Sequence, residues 1–133
     1  MFLKKKNNND LIKVGALLIH AAKIDENYSS IEQNIIKKAL LKIGANNENI
    51  EKIMNDAKKA EENSNQILDF TREVKSTNNE NKIIILETLW RIIYSNNEVD
   101  IYESNLMRRL AGLLYIDNKI MADIKDKIKN EIL

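Results

Sequence analysis

Residues 82–94 read KIIILETLWRIIY, and this stretch decides the fold. Wound as a helix, it carries aliphatic or aromatic side chains on nearly every side, and a helix apolar all round is a buried one. It falls well short of the ~20 residues a helix needs to cross a bilayer. Its place is therefore the centre of a domain, with other helices wrapped around it. The chain length of 133 residues agrees, being that of one domain.

Working outward from the central segment (81–94), helical periodicity dominates and strand alternation is scarce. A first helix is expected over 10–24, with Leu11, Val14, Leu18 and Ala22 on one face and Asp10 as its N-cap. A second is expected over 30–43, with Ile31, Ile35, Ala39 and Ile43 in register. Gly44 follows, where a left-handed C-terminal cap favours glycine. A third, over 48–61, carries Ile50, Ile53, Met54 and Ala57 behind a cap at Asn47. A fourth, over 65–74, carries Ile67, Leu68, Phe70 and Val74, a thinner face that suits the periphery. The polar break STNNE at 76–80 is the candidate internal seam. Beyond the central helix, 101–115 carries Leu106, Leu110, Leu113 and Leu114, and 118–133 carries Ile120, Ile124, Ile128 and Ile132. The expectation is an all-α, single-domain bundle of about seven helices over 10–133, behind a flexible N-terminal segment at 1–9.

A shift of 71 residues brings the two halves, about 10–75 and 80–133, into register. Leu18 then lies over Leu89, Ile35 over Leu106, Ala39 over Leu110, Ile43 over Leu114 and Ile53 over Ile124. The segment from Asp25 to Glu32 lies over the segment from Asn96 to Glu103. Each half is then an apolar helix, an acidic turn, an amphipathic helix, a link and another helix. Two copies are too few for a solenoid, and short links favour antiparallel neighbours in a paired, pseudo-symmetric bundle.

Composition excludes several function classes. Lys and Arg number 21 against 20 Asp and Glu, a net charge of +1. No overall field draws the chain to nucleic acid or anionic membrane. There is no cysteine, hence no disulfide, thiolate zinc site or cysteine nucleophile. There is no proline, and three glycines rule out a glycine-rich phosphate loop. The opening MFLKKKNNN lacks the apolar core of a secretory signal. Its three lysines are fewer than a lipid-binding cluster uses. No apolar run is long enough for a transmembrane segment.

The two acidic turns hold the most specific local signal, and it reads two ways. Ser29 precedes Glu32 by three residues, and Asp100 precedes Glu103 by three. Both pairs fit a capping box, in which the short side chain accepts from the N–H three residues on and the glutamate reaches back. The second reading is a divalent metal site. Asp25, Glu26 and Glu32 cluster at one turn, and Glu98, Asp100 and Glu103 at the other. Carboxylates with asparagine carbonyls form the hard-oxygen set that Ca²⁺, Mg²⁺ or Mn²⁺ takes. The spacing is not that of an EF-hand: with Asp25 as position 1, Ser30 stands at the glycine position and Ile36 at the bidentate glutamate.

This pattern resembles the TerB-like family, which includes the tellurite-resistance TerB proteins and the N-terminal domain of a membrane-anchored DnaJ-type co-chaperone. The resemblance rests on Ala22, Asp25, Tyr28 and Glu32 in the first turn. In the second it rests on Asn96, Glu98, Val99, Asp100 and Glu103 with the following run LMRRLAGLLYI. The chain departs from the pattern where Glu26 and Asn97 stand at glycine positions, where Asn96 replaces aspartate, and where Lys23-Ile24 separates Ala22 from Asp25. The resemblance implies an all-helical bundle without enzymatic activity. It implies a link to tellurite resistance and stress response, and divalent metal held by acidic residues. It also implies protein partners in membrane-associated complexes, with the chain cytoplasmic or peripheral to the inner face of the membrane. A metal-independent, co-chaperone-like interaction module is the alternative.

Catalysis finds little support in the residues. His20 is the only histidine and lies among apolar neighbours in LLIHAAK, which suits a structural role. Without a second histidine or a cysteine there is no zinc set or cysteine–histidine pair. No G-x-S-x-G elbow presents a serine. The acidic residues fall at helix starts, where exposure is expected rather than a cleft. Trp90 belongs to the core, Tyr94 and Tyr102 flank the second turn, and Arg108-Arg109 suits a solvated face. Nucleic acid is not an expected partner.

Overall fold

The computed structural model describes residues 8–23, 29–64, 68–95 and 101–132. Among these the chain forms seven helices and no strand. They are α1 (Asn8–Ala22), α2 (Ser30–Ile43), α3 (Ile50–Glu62), α4 (Leu68–Lys75), α5 (Asn79–Tyr94), α6 (Ile101–Leu113) and α7 (Asn118–Ile132). The all-α bundle expected from the periodicity is the observed architecture.

Helix limits follow local chemistry. The Asn78 side-chain oxygen accepts from the Asn81 N–H at 2.8 Å and starts α5 two residues earlier than the apolar run predicts. Asp117 starts α7 by accepting the Lys119 N–H at 2.7 Å. The predicted cap of α3 at Asn47 is not the one used. Asn49 stands at the N-cap without a side-chain capping bond, and the turn before it is closed by Asn46 Oδ1, which accepts from the N–H groups of Glu48 and Asn49, and by Asn49 Oδ1, which accepts from that of Asn46. Asp10 does not cap α1 but lies in its first turn, since the helix already runs from Asn8, inside the segment expected to be flexible.

Two helices end alike. After α2, Gly44 adopts φ 143° and the Ala45 N–H reaches the Leu40 carbonyl at 2.9 Å. After α6, Tyr115 adopts φ 56°, its N–H donates to the Gly112 carbonyl, and the Ile116 N–H reaches that of Ala111 at 2.9 Å. The bonds after α6 are a Schellman closure, which satisfies orphan carbonyls at a helix end and normally employs glycine in the left-handed position. The shift of 71 residues places Tyr115 over Gly44, and likewise places the start of α5 over that of α1 and the start of α6 over that of α2.

One apolar core takes residues from all seven helices and continues across the polar break at 76–80. As expected, α5 is central, with Ile85, Leu86, Leu89, Ile92 and Ile93 buried, and it packs on α1, α2 and α7. The sequence understated α1. Val14 to Ile19 is buried throughout, Gly15 included, and α1 packs on α2, α3, α4 and α5. Gly15 permits the α1–α3 approach: a Cβ there would meet Ala57 Cβ at 2.9 Å. Nor is α4 peripheral, because Phe70, Thr71 and Val74 are buried and the helix packs along α1. Burial of each such aliphatic side chain contributes about 1.5–3 kcal/mol.

Candidate functional site

The first acidic turn runs into α2, and α2 shows what its exit residues do. Ser29 is in extended backbone, and its hydroxyl accepts the Glu32 N–H at 3.3 Å. Glu32 Oε1 in turn accepts from the Ser29 N–H at 3.0 Å and from its hydroxyl at 3.1 Å. This is the capping box predicted from the spacing.

The surprise is where the carboxylate lies. Glu32 was expected at an exposed helix start, yet it is 0% exposed. The reason is a rotation of α2. Its buried face is Glu32, Ile36, Ala39, Leu40 and Ile43, one residue round from the predicted stripe, and Ile31 is left 64% exposed. Burying a carboxylate is costly unless it is hydrogen-bonded, and the Ser29 donors supply two such bonds.

The other candidate metal ligands are less informative. Asp25, Glu26, Glu98 and Asp100 lie outside the described residues. Glu103 falls in the first turn of α6, and its side chain also lies outside them. So does the Asp100–Glu103 capping box. Among the described residues, no group of three or more His, Asp or Glu side chains is gathered as a metal-holding set. The chemistry of the six candidates is still that of a hard cation's ligands, since all are carboxylates.

Near the start of this turn, α1 ends on a charged cluster. His20 Nδ1 lies 3.3 Å from Glu61 Oε2, and Lys23 Nζ donates to Glu61 Oε1 at 2.8 Å. Glu61 comes from the far end of α3 and its side chain is 11% exposed. Burial works to raise its carboxyl pKa, but the hydrogen bonds and charges of Lys23 and His20 outweigh burial and hold it below the usual value. His20 thus ties α1 to α3, in keeping with a structural role. Sequence reasoning missed Glu61, and no local signal marks a partner 41 residues away.

The second half contains a comparable set of ties. Trp90 is buried, donates its indole N–H to the Met121 sulfur at 3.4 Å, and stacks on Tyr94 with centroids 6.0 Å apart. Burial, and then the charge of Asp126, pushes the Tyr94 phenol up. Glu87, itself nearly buried, accepts from Lys127. Arg91 grips Glu131 with two parallel bonds, Nε to Oε2 at 2.8 Å and Nη2 to Oε1 at 3.1 Å. That grip raises the guanidinium pKa and lowers that of the carboxyl. Arg108 and Arg109 are exposed, as expected.

No helix among the described residues is long and apolar enough to cross a membrane. In comparison with known proteins, no curated protein and no solved structure matches the chain. A family model does match. Described as tellurite resistance protein TerB, it covers residues 11–126, which takes in both acidic turns and every helix from α1 into α7. The chain belongs to the tellurite resistance protein TerB family.

Proposed function

We propose that this chain is a non-enzymatic, tellurite-resistance-type domain that works by binding, taking up a divalent cation at its acidic turns and docking partner proteins. The family match supports the class of function. The observation that carries the binding reading is Glu32, a wholly buried carboxylate fixed by Ser29 at the exit of the first turn. The residues that would hold the cation are Asp25, Glu26 and Glu32 at the first turn and Glu98, Asp100 and Glu103 at the second. A hard cation would neutralise carboxylates that otherwise repel one another, and would fix the turn that joins two helices. Partners would then read a turn whose shape depends on the metal. The setting that suits such a domain is the cytoplasm, or the periphery of the inner membrane face.

A second reading has its own support. The Ser29–Glu32 box accounts for both residues as a helix cap without any cation. The domain would then be a metal-independent interaction module, and the acidic turns would be caps alone.

Thermal unfolding of chelator-treated protein, titrated with Ca²⁺, Mg²⁺ and Mn²⁺, separates the two. A cation at 100 times its Kd stabilises by about 2.7 kcal/mol, a rise of several degrees at roughly 3 °C per kcal/mol. The metal reading expects a saturable rise that Asp25→Asn and Asp100→Asn remove. Asparagine keeps the capping oxygen at position 100, so a rise that survives both changes, or no rise with any of the three cations at millimolar concentration, leaves the metal-independent reading.

A further inference from the structure

A cleft of about 300 Å³ lies between α2, α5 and α7, and none of the candidate metal ligands lines it. Lys38 and Lys42 stand one turn apart on α2, and Arg91 faces them from α5. The one acidic residue of the lining is Glu131, from the last turn of α7. Among the described residues, neither Lys38 nor Lys42 forms an ion pair, whereas Lys13, Lys23, Lys37 and Lys127 each do. The cleft thus holds three cations against one anion. Its wall includes Ile35 and Ala39, and low-dielectric walls concentrate the field of like charges in a cleft.

The Arg91 fork shows what this site accepts. It holds the two oxygens of Glu131 side by side, at 2.8 and 3.1 Å. That is the planar, bidentate geometry by which arginine recognises carboxylate and phosphate alike. A carboxylate satisfies the fork, but its single charge, which Lys42 also feels, does not offset the three cations of the lining. A phosphate carries about two negative charges and three acceptor oxygens, enough for the fork and both lysines together. Glu131 itself is half exposed, in the final turn of its helix.

We infer that the cleft between α2, α5 and α7 is a binding site for a phosphate-bearing anion, with Glu131 as the resident carboxylate that the phosphate displaces from Arg91. This site is independent of the metal reading. Soluble ligands and lipid headgroups both carry this phosphate, and the cleft reads the group they share.

Calorimetric titration of the whole chain with pyrophosphate tests the inference, with sedimentation on vesicles containing phosphatidic acid as a second arm. Saturable binding is expected. Glu131→Gln, which keeps the shape and removes the competing charge, tightens it several-fold, a gain that unfolding cannot mimic. Arg91→Lys, which breaks the fork, weakens it about tenfold, and Lys38→Gln with Lys42→Gln weakens it similarly. Arg109→Gln, exposed on α6 outside the cleft, leaves it unchanged. Pyrophosphate binding without vesicle binding marks a soluble ligand. Vesicle binding lost in Arg91→Lys marks a lipid headgroup. The inference is overturned if Glu131→Gln shows no saturable pyrophosphate binding at millimolar concentration, or if Arg109→Gln weakens binding as much as Arg91→Lys does.

Discussion

Gly15 and Tyr115 show single residues carrying constraints that composition hides. At Gly15 a Cβ would sit 2.9 Å from Ala57 Cβ, so the α1–α3 distance depends on a missing methyl group. Alanine is a better helix former than glycine by ~1 kcal/mol, but overpacking a core costs about 1–3 kcal/mol. Gly15→Ala should therefore lower stability in urea titration, and Ala57→Gly in the same chain should recover part of the loss. Additive losses from the two changes would show that the contact is not limiting. Tyr115 holds a left-handed φ of 56° that costs a side-chain-bearing residue about 1–2 kcal/mol. Its compensation is Lys75, whose ammonium donates to the phenol at 3.1 Å and lies 4.4 Å from the ring centroid. Tyr115→Gly should raise the unfolding midpoint, and Tyr115→Ala, which keeps the backbone strain and loses Lys75, should lower it. A fall with glycine would mean that the Lys75 contact outweighs the strain. Neither the Gly15–Ala57 contact nor the Tyr115–Lys75 contact could be read from the sequence, because each joins residues about 40 positions apart.

Helix α2 shows how far an element is legible on its own. Its limits at Ser30 and Ile43, its cap at Ser29 and its stop at Gly44 all follow from local chemistry, and the structure shows each of them. The buried face was misread. The isoleucine register Ile31, Ile35, Ala39 and Ile43 competes with Glu32, Ile36, Leu40 and Ile43, and hydrophobicity alone prefers the former. The bundle chooses the latter because Ile36 and Leu40 are the larger aliphatic pair next to α1 and α5, and because Ser29 supplies the hydrogen bonds that let Glu32 go under. Ser29→Ala should then cost more than the ~1 kcal/mol of an ordinary cap, since it also removes the hydroxyl donor of a buried carboxylate. Denaturant midpoints of Ser29→Ala and Ser29→Asn measure this. A loss below about 0.5 kcal/mol for alanine would show that water replaces the hydroxyl.

At the scale of the whole molecule, paired charges clamp helices that are distant in sequence. Lys13 meets Glu73 between α1 and α4, His20 and Lys23 meet Glu61 between α1 and α3, and Glu87 meets Lys127 between α5 and α7. The Glu61 carboxyl is held below its usual value in the folded chain. A group depressed by folding contributes stability that is present above its unfolded pKa, about 4.3 for glutamate, and is lost as pH falls through the folded value. Unfolding midpoints should thus be flat near neutrality and decline below about pH 4.3. Glu61→Gln should be less stable at neutral pH and flatten part of that decline. An unchanged acid slope would remove Glu61 from the acid transition.

The sequence by itself determined the helical class, the positions of all seven helices to within three residues, the capping boxes as candidates and the family. Those rest on local periodicity, on short-range hydrogen bonds and on spacing within one turn, all properties of neighbours along the chain. Tertiary structure decided which face of α2 is buried, that α1 shares the centre with α5, that α4 is packed in, and which carboxylate each of Lys13, His20, Lys23 and Arg91 finds. It also assembled the cationic cleft from α2, α5 and α7. The physical reason is one of range. Burial and ion pairing depend on which helices meet, and a helix with two plausible apolar stripes is oriented only when its neighbours are in place.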